Sequence, residues 1–542
     1  MQSDELAKQI IQKHKRLEEF RNPYLAEWKD IAKFMAPGKD FWNALKDNKA
    51  KASSDIFDGT AISAVRVLAN GLQGYMARRG KFFKTELETY RQQRQEPREY
   101  LQSIDQLFNW IFDKSNFYDF VNEAFRTGAT IATMVGYIEP VRNEKLLFHV
   151  CHPKEVWIAS NDSYEIDTVS RQIQMTNREI ANRWKDAPER IRQDAKTAPY
   201  KEKKVIHQTF PRTDRDVTKL DKKNKKFASI WVLEDEKITL EESGFDIFPY
   251  IVWRWSTEHG GTYGRGPAHD ALTDVLRSNL LSKDLLDASQ YFLNPAKNVP
   301  QEKMDLFDLN PGGMNPYADP SRIITPINSG GSYPVGKDVQ AAIEAKIKDH
   351  FMVDMFLMLN NSMDSKKTAY EVNAMQSEKA AVMEPTTARI ESEFFDQLFD
   401  LTFYHAKKLG WVPTPPEEVS RILQTTAVKI NYTNLMSALR DRYYDNQMSY
   451  AEVQKLFQMS QFDQSVLDVA DLKEYARDML SKSTFPHKAI RTKRQMAQIA
   501  QQRAQQQQEE IQSENLKKQA SAVKDMSGAD PQLLQQMGAN VG

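Results

Sequence analysis

Cysteine is almost absent. The chain has one, Cys151, in 542 residues, which excludes an internal disulfide and suits a reducing compartment. Net charge is absent as well: 74 basic residues offset 74 acidic ones, so bulk electrostatics advertises neither a nucleic-acid binder nor a membrane-surface protein. Any polyanion must be met by charge arranged locally. Long apolar runs are missing too. The most apolar stretch, FMVDMFLML (351–359), is short and carries Asp354, too little to span a bilayer. The first twenty residues read as a polar amphipathic helix, without the apolar core of a signal peptide. These absences lead to the expectation of a soluble intracellular product.

Signatures of catalysis are lacking. There is no G-x-S-x-G elbow and no H-E-x-x-H pair, and the carboxylates are too scattered to single out an acid–base couple. FHVCHP (148–153) gathers His149, Cys151 and His152. A zinc site wants four ligands, and no second cysteine or clustered histidine pair supplies the rest. GGSYPVGKD (330–338) fits G-x-x-x-x-G-K through Gly331, Gly336 and Lys337, yet Asp338 stands where magnesium needs Ser or Thr. Pro334 also lacks one of the N–H groups such a cradle uses. The stretch reads instead as a glycine-rich turn entering a helix capped by Asp338. No catalytic residue, cofactor or metal ligand is expected.

What is present is an ordinary globular balance, 40% apolar and 27% charged, over a length that allows three or four structural units. Residues 2–36 show helical periodicity, and helix resumes at 55–76, with Asp58 or Thr60 as cap, and again through 100–134. Near Gly136 the character changes to short β-branched and aromatic segments separated by turns, GYIEPV, KLLFHVCHP, VIHQTFPR, FASIWVLE and FPYIVWRW, which read as antiparallel strands. A long helix is expected over 268–292 and a second over 338–360, each some 35 Å long. Between them lies a stretch dense in proline, from Pro295 to Pro334. The two rods should return as an antiparallel pair with that insert at one end. A third helical stretch runs to Gly410 and must kink or break at Pro385. Helix is expected over most of 417–482, and a Gln-rich end follows.

Positive charge clusters in residues 201–226, where ten basic residues face four acidic ones. With no aromatics interleaved after Phe210, the segment reads as the solvated tip of a hairpin. SMDSKKTAYEV (362–372) places Lys366 and Lys367 in a short loop between long helices. In a monomer this is an ordinary turn, but around a symmetry axis it becomes a girdle of charge.

Four blocks, residues 56–76, 115–138, 263–296 and 366–399, followed by PTPPEEV (413–419), resemble in sequence and order the head-to-tail connector, or portal, proteins of short-tailed bacteriophages. The likeness covers roughly residues 5–440. It implies an α+β, mainly helical, ring-forming subunit. A helical and β wing would span 1–263, stem helices 264–293 and 338–360, and a small α/β clip 294–337. A tunnel loop would occupy 361–367, a long kinked wing helix 368–411, a helical crown 412–485 and a Gln-rich tail or barrel helix 486–542. The resemblance also implies a non-enzymatic ring of usually twelve copies at one capsid vertex, assembled in the host cytoplasm. Through it double-stranded DNA would be packaged and ejected, with terminase, a tail adaptor, the major capsid protein and scaffolding protein as partners and no membrane. Position in the layout puts Asn361, Ser362, Ser365, Lys366 and Lys367 against DNA. It puts Asp305, Phe307, Asp308, Asn310, Tyr317 and Arg322 in the clip. The alternatives are a DNA-packaging ATPase subunit and a tail-adaptor or scaffold protein with no channel.

Overall fold

A computed structural model describes residues 2–37, 55–293, 333–361 and 378–438, with short interruptions, and isolated positions beyond 457. Residues 1–445 form one compact unit and 446–542 another. In the second, described positions such as Gln501 and Gln502 are helical. The rest of the description concerns the first.

Helix α1 (Gln2–Arg21) and helix α2 (Leu25–Met35) are separate, joined by a 3-10 turn at Asn22–Tyr24. The single helix expected there is broken because Pro23 has no N–H to continue the ladder. Helix α3 (Thr60–Met76) follows, with the Asp58 carboxylate accepting the Thr60 N–H at 2.9 Å. Strand β1 (Phe83–Leu87) leads to α4 (Gln95–Lys114) and α5 (Phe117–Ile131). The helix expected through Met134 ends earlier, at Ala132, which takes a left-handed conformation with φ 59°.

Strands β2 (Thr133–Val141) and β3 (Lys145–Val150) then form a hairpin, and β9 (Tyr250–Arg254) pairs on the other side of β2. Between them the chain builds a second antiparallel sheet in sequential order: β4 (Val156–Ser160), β5 (Ile166–Thr176), β6 (Glu202–Pro211), β7 (Phe227–Leu233) and β8 (Ile238–Phe245). Helices α6 (Asn177–Arg183) and α7 (Glu189–Thr197) interrupt it. Alternation along β7 decides its two faces. Ala228, Ile230 and Val232 meet Ile10 and Ile11 of α1, while Trp231 and Leu233 meet Ile180 and Ile191 of α6 and α7.

The main core lies between α2 to α5 and the three-stranded sheet, dominated by Phe82, Phe112, Phe117, Phe125, Phe394 and Phe395. Helix α8 (Pro267–Leu293) leaves this core, and α9 (Tyr333–His350) returns to it. The observed α9 starts five residues before Asp338. Asp338 is therefore an interior residue rather than a cap, and Pro334 lies in the first turn, where proline is favoured. The second rod is also not continuous to residue 360. It stops at Phe351 and Met352, where Met352 has φ 52°, and resumes as α10 (Val353–Asn361). Phe351 is wholly buried at that corner.

The expected break at Pro385 is present. The proline opens a helix at Glu384–Arg389, continued by a π-helix, Ile390–Phe395, and by the helix Asp396–Lys408. The π turn and the helix after it each deliver one side chain to the free edge of β9. Glu393 accepts from the Arg254 N–H at 3.0 Å, and Gln397 from the Val252 N–H at 2.9 Å. Beyond Gly410 a helix covers Glu417–Leu423, and then β10 (Val428–Tyr432) pairs with β1. Helix was expected at 428–432. The alternating VKINY sequence instead follows the strand period, and it is placed by a partner some 340 residues away.

Candidate functional site

Only the second half of the basic stretch is the hairpin tip expected for 201–226: residues 202–211 are the strand β6 itself, mostly buried, and 212–226 connect it to β7. Several of the stretch's cations are countered by carboxylates from neighbouring segments. Arg212 and Lys223 both reach Glu242, at 3.3 and 3.0 Å, and Lys225 meets Asp246 at 2.6 Å. Lys203, nearly buried, lies between Asp194 at 2.9 Å and Glu236 at 2.5 Å. The FHVCHP side chains separate. His149 stacks on Tyr137 with ring centroids 4.9 Å apart, the His152 Nδ1 accepts the Lys154 N–H, and Cys151 is buried. Burial pushes the Cys151 thiol up to about 12, so it is a packed apolar group rather than a nucleophile. Among the described residues no cluster of three or more His, Cys, Asp or Glu could hold a metal ion. No described helix is long and apolar enough to cross a membrane.

The remaining candidate is the rod pair. Leu285 faces Gly336, Ser282 accepts from Gln340 at 2.6 Å, and Asp274 lies 3.5 Å from His350. The residue numbers fall on one helix as they rise on the other, so α8 and α9 are antiparallel. A Cβ at Gly336 would lie 2.7 Å from Leu285 Cδ2, the end of a flexible side chain that could turn aside. Gly336 and Lys337 lie inside the first turns of α9, and Asp338 follows them.

The pair is anchored firmly at its base. A Gly264 Cβ would stand 2.1 Å from the Ala132 carbonyl oxygen, and the Gly264 N–H donates to Thr133 Oγ1 at 2.8 Å. This turn sets the exit of α8. One turn on, the Gly266 N–H donates to His269 Nδ1. Burial, aided by Arg265, lowers the His269 pKa to about 4, so the ring is neutral and free to accept. Farther along, Ser278 donates to Asp58 at 2.6 Å, and the Asn279 carboxamide bridges the Phe57 N–H and the Asp55 carbonyl. On the returning side, Val353 and Met355 of α10 are buried, and Phe356 meets Tyr75 edge-on at 5.5 Å.

Outward, the two rods keep apolar side chains in water. Leu276 and Leu280 are 38% and 59% exposed, Leu286 49% and Val339 48%. Charge on them is mixed and leans acidic, with Asp270, Asp274, Asp284 and Asp287 against Arg277 and Lys283 on α8.

Of the residues singled out from sequence, Asn361 is the last residue of α10. Ser362, Ser365, Lys366 and Lys367 lie outside the described residues. So do Asp305, Phe307, Asp308, Asn310, Tyr317 and Arg322. Asp58 was singled out as a helix cap, but its ties to Ser278 and Asn279, about 220 positions away, carried no local signal. Sequence reasoning also missed the corner at Met352. For the turn at the base of α8, the glycines at 264 and 266 were the available signal.

Comparison with known proteins bears on this arrangement. The family model described as "Bacteriophage head to tail connecting protein" matches residues 7–490. The chain is 26% identical over 538 residues to a "Probable portal protein" of Bordetella phage BPP-1, covering 96% of each. It is 24% identical over 490 residues to the "Portal protein" of Salmonella phage epsilon15, covering 87% of this chain and 85% of that one.

Proposed function

Because the chain belongs to the family of bacteriophage head to tail connecting proteins, we propose that copies of it close into a ring, of about twelve by analogy with the family, whose bore passes double-stranded DNA. Its function is that of a phage portal, and it is a virion component of a structural family. The finer reading places the ring at one capsid vertex. Terminase docks there during packaging and a tail adaptor afterwards, with capsid and scaffolding proteins around the rim.

The observation that carries the ring is the rod pair. Two antiparallel helices leave the core with leucines exposed on their outer side. Exposed apolar ridges on a rigid element mark an interface, and a subunit with different surfaces on its two sides closes by rotation. In this reading α8, α9 and α10 form the stem, residues 294–332 the clip, and 362–367 the loop facing DNA. The mixed charges on the rods suit a conduit. Each phosphate neutralised by a cation adds affinity through counterion release, so a strongly basic wall would hold DNA rather than let it slide.

The helical context of Gly336 and Lys337 removes the motive for an ATPase reading. A tail-adaptor or scaffold role without a channel differs in one visible respect, the central hole. Negative-stain images of the purified chain should show rings with a hole, whereas particles without one would favour the adaptor role. A second test concerns Lys366 and Lys367. Changing both to alanine should leave assembly intact and lower DNA packaged or retained per particle. Unchanged packaging would remove these lysines from the channel.

A further inference from the structure

We propose that the seam between neighbouring subunits is a ridge-to-groove contact in which Leu276, Leu280 and Lys283 of one copy meet Ala345, Ala342 and Asp338 of the next. The inference deepens the ring reading above and rests on it. It commits to one occupant for the exposed apolar edge of the rods, a second copy of the same chain.

Three observations carry it. First, the two edges of the pair differ. Leu276, Leu280 and Lys283 follow the i, i+4, i+7 spacing and are exposed on the side of α8 turned away from Leu285 and Ser282, the residues that meet α9. Asp338, Ala342 and Ala345 follow the same spacing on α9. They are likewise exposed, turned away from Gly336 and Gln340. One edge is therefore a leucine ridge, and the opposite edge a shallow alanine groove that lets a neighbouring helix approach closely.

Second, the heights agree. The contacts Leu285 to Gly336, Ser282 to Gln340 and Asp274 to His350 fix which residues of α8 and α9 share a level. Rotation about an axis running along the rods preserves level. It therefore brings a neighbour's Ala342 opposite Leu280, its Ala345 opposite Leu276, and its Asp338 opposite Lys283. Leucine falls on alanine twice.

Third, the charge at the end of the seam is complementary, Lys283 to Asp338, which fixes register and disfavours a slipped pairing. The seam is heterologous, so no residue in it meets its own copy.

Cysteine pairs test this directly, because Cys151 is buried and gives no background. The full-length Leu280→Cys/Ala342→Cys double variant, oxidised after assembly, should give a non-reducing gel ladder of dimer, trimer and higher species. Each single variant should stay monomeric on the same gel. Leu280→Asp should shift native mass spectra from rings to subunits while leaving the circular dichroism spectrum unchanged. Rings in native mass spectra with no ladder would overturn the seam and leave the portal reading standing. A dimer from Leu280→Cys alone would overturn it in favour of a two-fold contact. Absence of rings from the unsubstituted chain would overturn the seam and the ring together.

Discussion

His207 shows how a polar residue becomes structural. Its ring is wholly enclosed, with Nδ1 at 2.9 Å from the Tyr250 hydroxyl, Nε2 at 2.9 Å from the Ser229 hydroxyl, and a face stacked on Trp231 at 4.1 Å. Burial, then Arg171 and Arg183, lower its pKa to about 3. Burial likewise lowers His14, His269 and His405 to about 4. Each folded value lies below the value near 6.5 of the unfolded chain. The unfolded state therefore binds protons first as pH falls. The stability from these neutral rings is complete above pH 6.5 and is lost as pH falls from 6.5 to about 4, or to about 3 for His207, by about 1.4 kcal/mol per histidine per pH unit. Denaturant midpoints measured from pH 7.5 to 4.5 should fall accordingly, and His207→Gln should flatten that slope. An unchanged slope would mean that His207 is not held neutral. Gly264→Ala acts through space instead of charge. Its Cβ would meet a backbone oxygen at 2.1 Å, and since backbone cannot rotate away the cost should be about 3 kcal/mol by thermal or chemical unfolding. At Lys237, exposed and at φ 55°, the opposite holds. Lys237→Gly should stabilise by about 0.5–1 kcal/mol.

Elements were legible in the sequence where the signal was local. Helix α8 was expected at 268–292 and is found at Pro267–Leu293, because its periodicity and flanking turns are self-sufficient. Strands β6, β7 and β9 were likewise expected from their β-branched and aromatic runs. Strands β1 and β10 were not, because each is five residues long and held by partners outside it, β10 by β1 and β1 also by Leu101 and Asp105 of α4, which both bond Thr85. Strands β4, β5 and β8 were also unexpected: β5 carries polar residues at most positions, since both its faces are only partly covered. Helix α9 was mis-started because Asp338 has the chemistry of a cap but Pro334 lies farther upstream and suits the first turn as well. The corner at Met352 had no sequence signal, since a non-glycine residue at positive φ is chosen by packing, here the burial of Phe351. The π-helix was equally hidden, although its purpose is plain in space. Glu393 takes the Arg254 N–H and guanidinium together, both nearly buried, and covers the edge of β9. Glu393→Ala would leave that guanidinium without its carboxylate, and a loss of about 3–4 kcal/mol is expected in equilibrium unfolding. A loss below about 1 kcal/mol would show that water replaces the carboxylate freely.

At the scale of the molecule, the family blocks in the sequence imply a layout, and the described structure supplies the geometry of the rod pair within it. A wide phenylalanine core holds the base of two rods, and the rods themselves leave apolar area in water. Such a subunit is only partly satisfied alone, so assembly should be strong and weakly sensitive to salt, because leucine and alanine rather than ion pairs carry it. Most residues assigned by position to the channel and the clip lie outside the described residues; in sequence, residues 294–332 connect α8 to α9 and residues 362–377 follow α10, and their roles as clip and channel loop are proposed on that connectivity alone. The central claim is that the rods pack around an axis. Native mass spectrometry of the purified full-length chain across a hundredfold range of concentration tests it most directly. The account predicts a single closed assembly near twelve subunits that persists on dilution, and a subunit that remains monomeric at every concentration would contradict it.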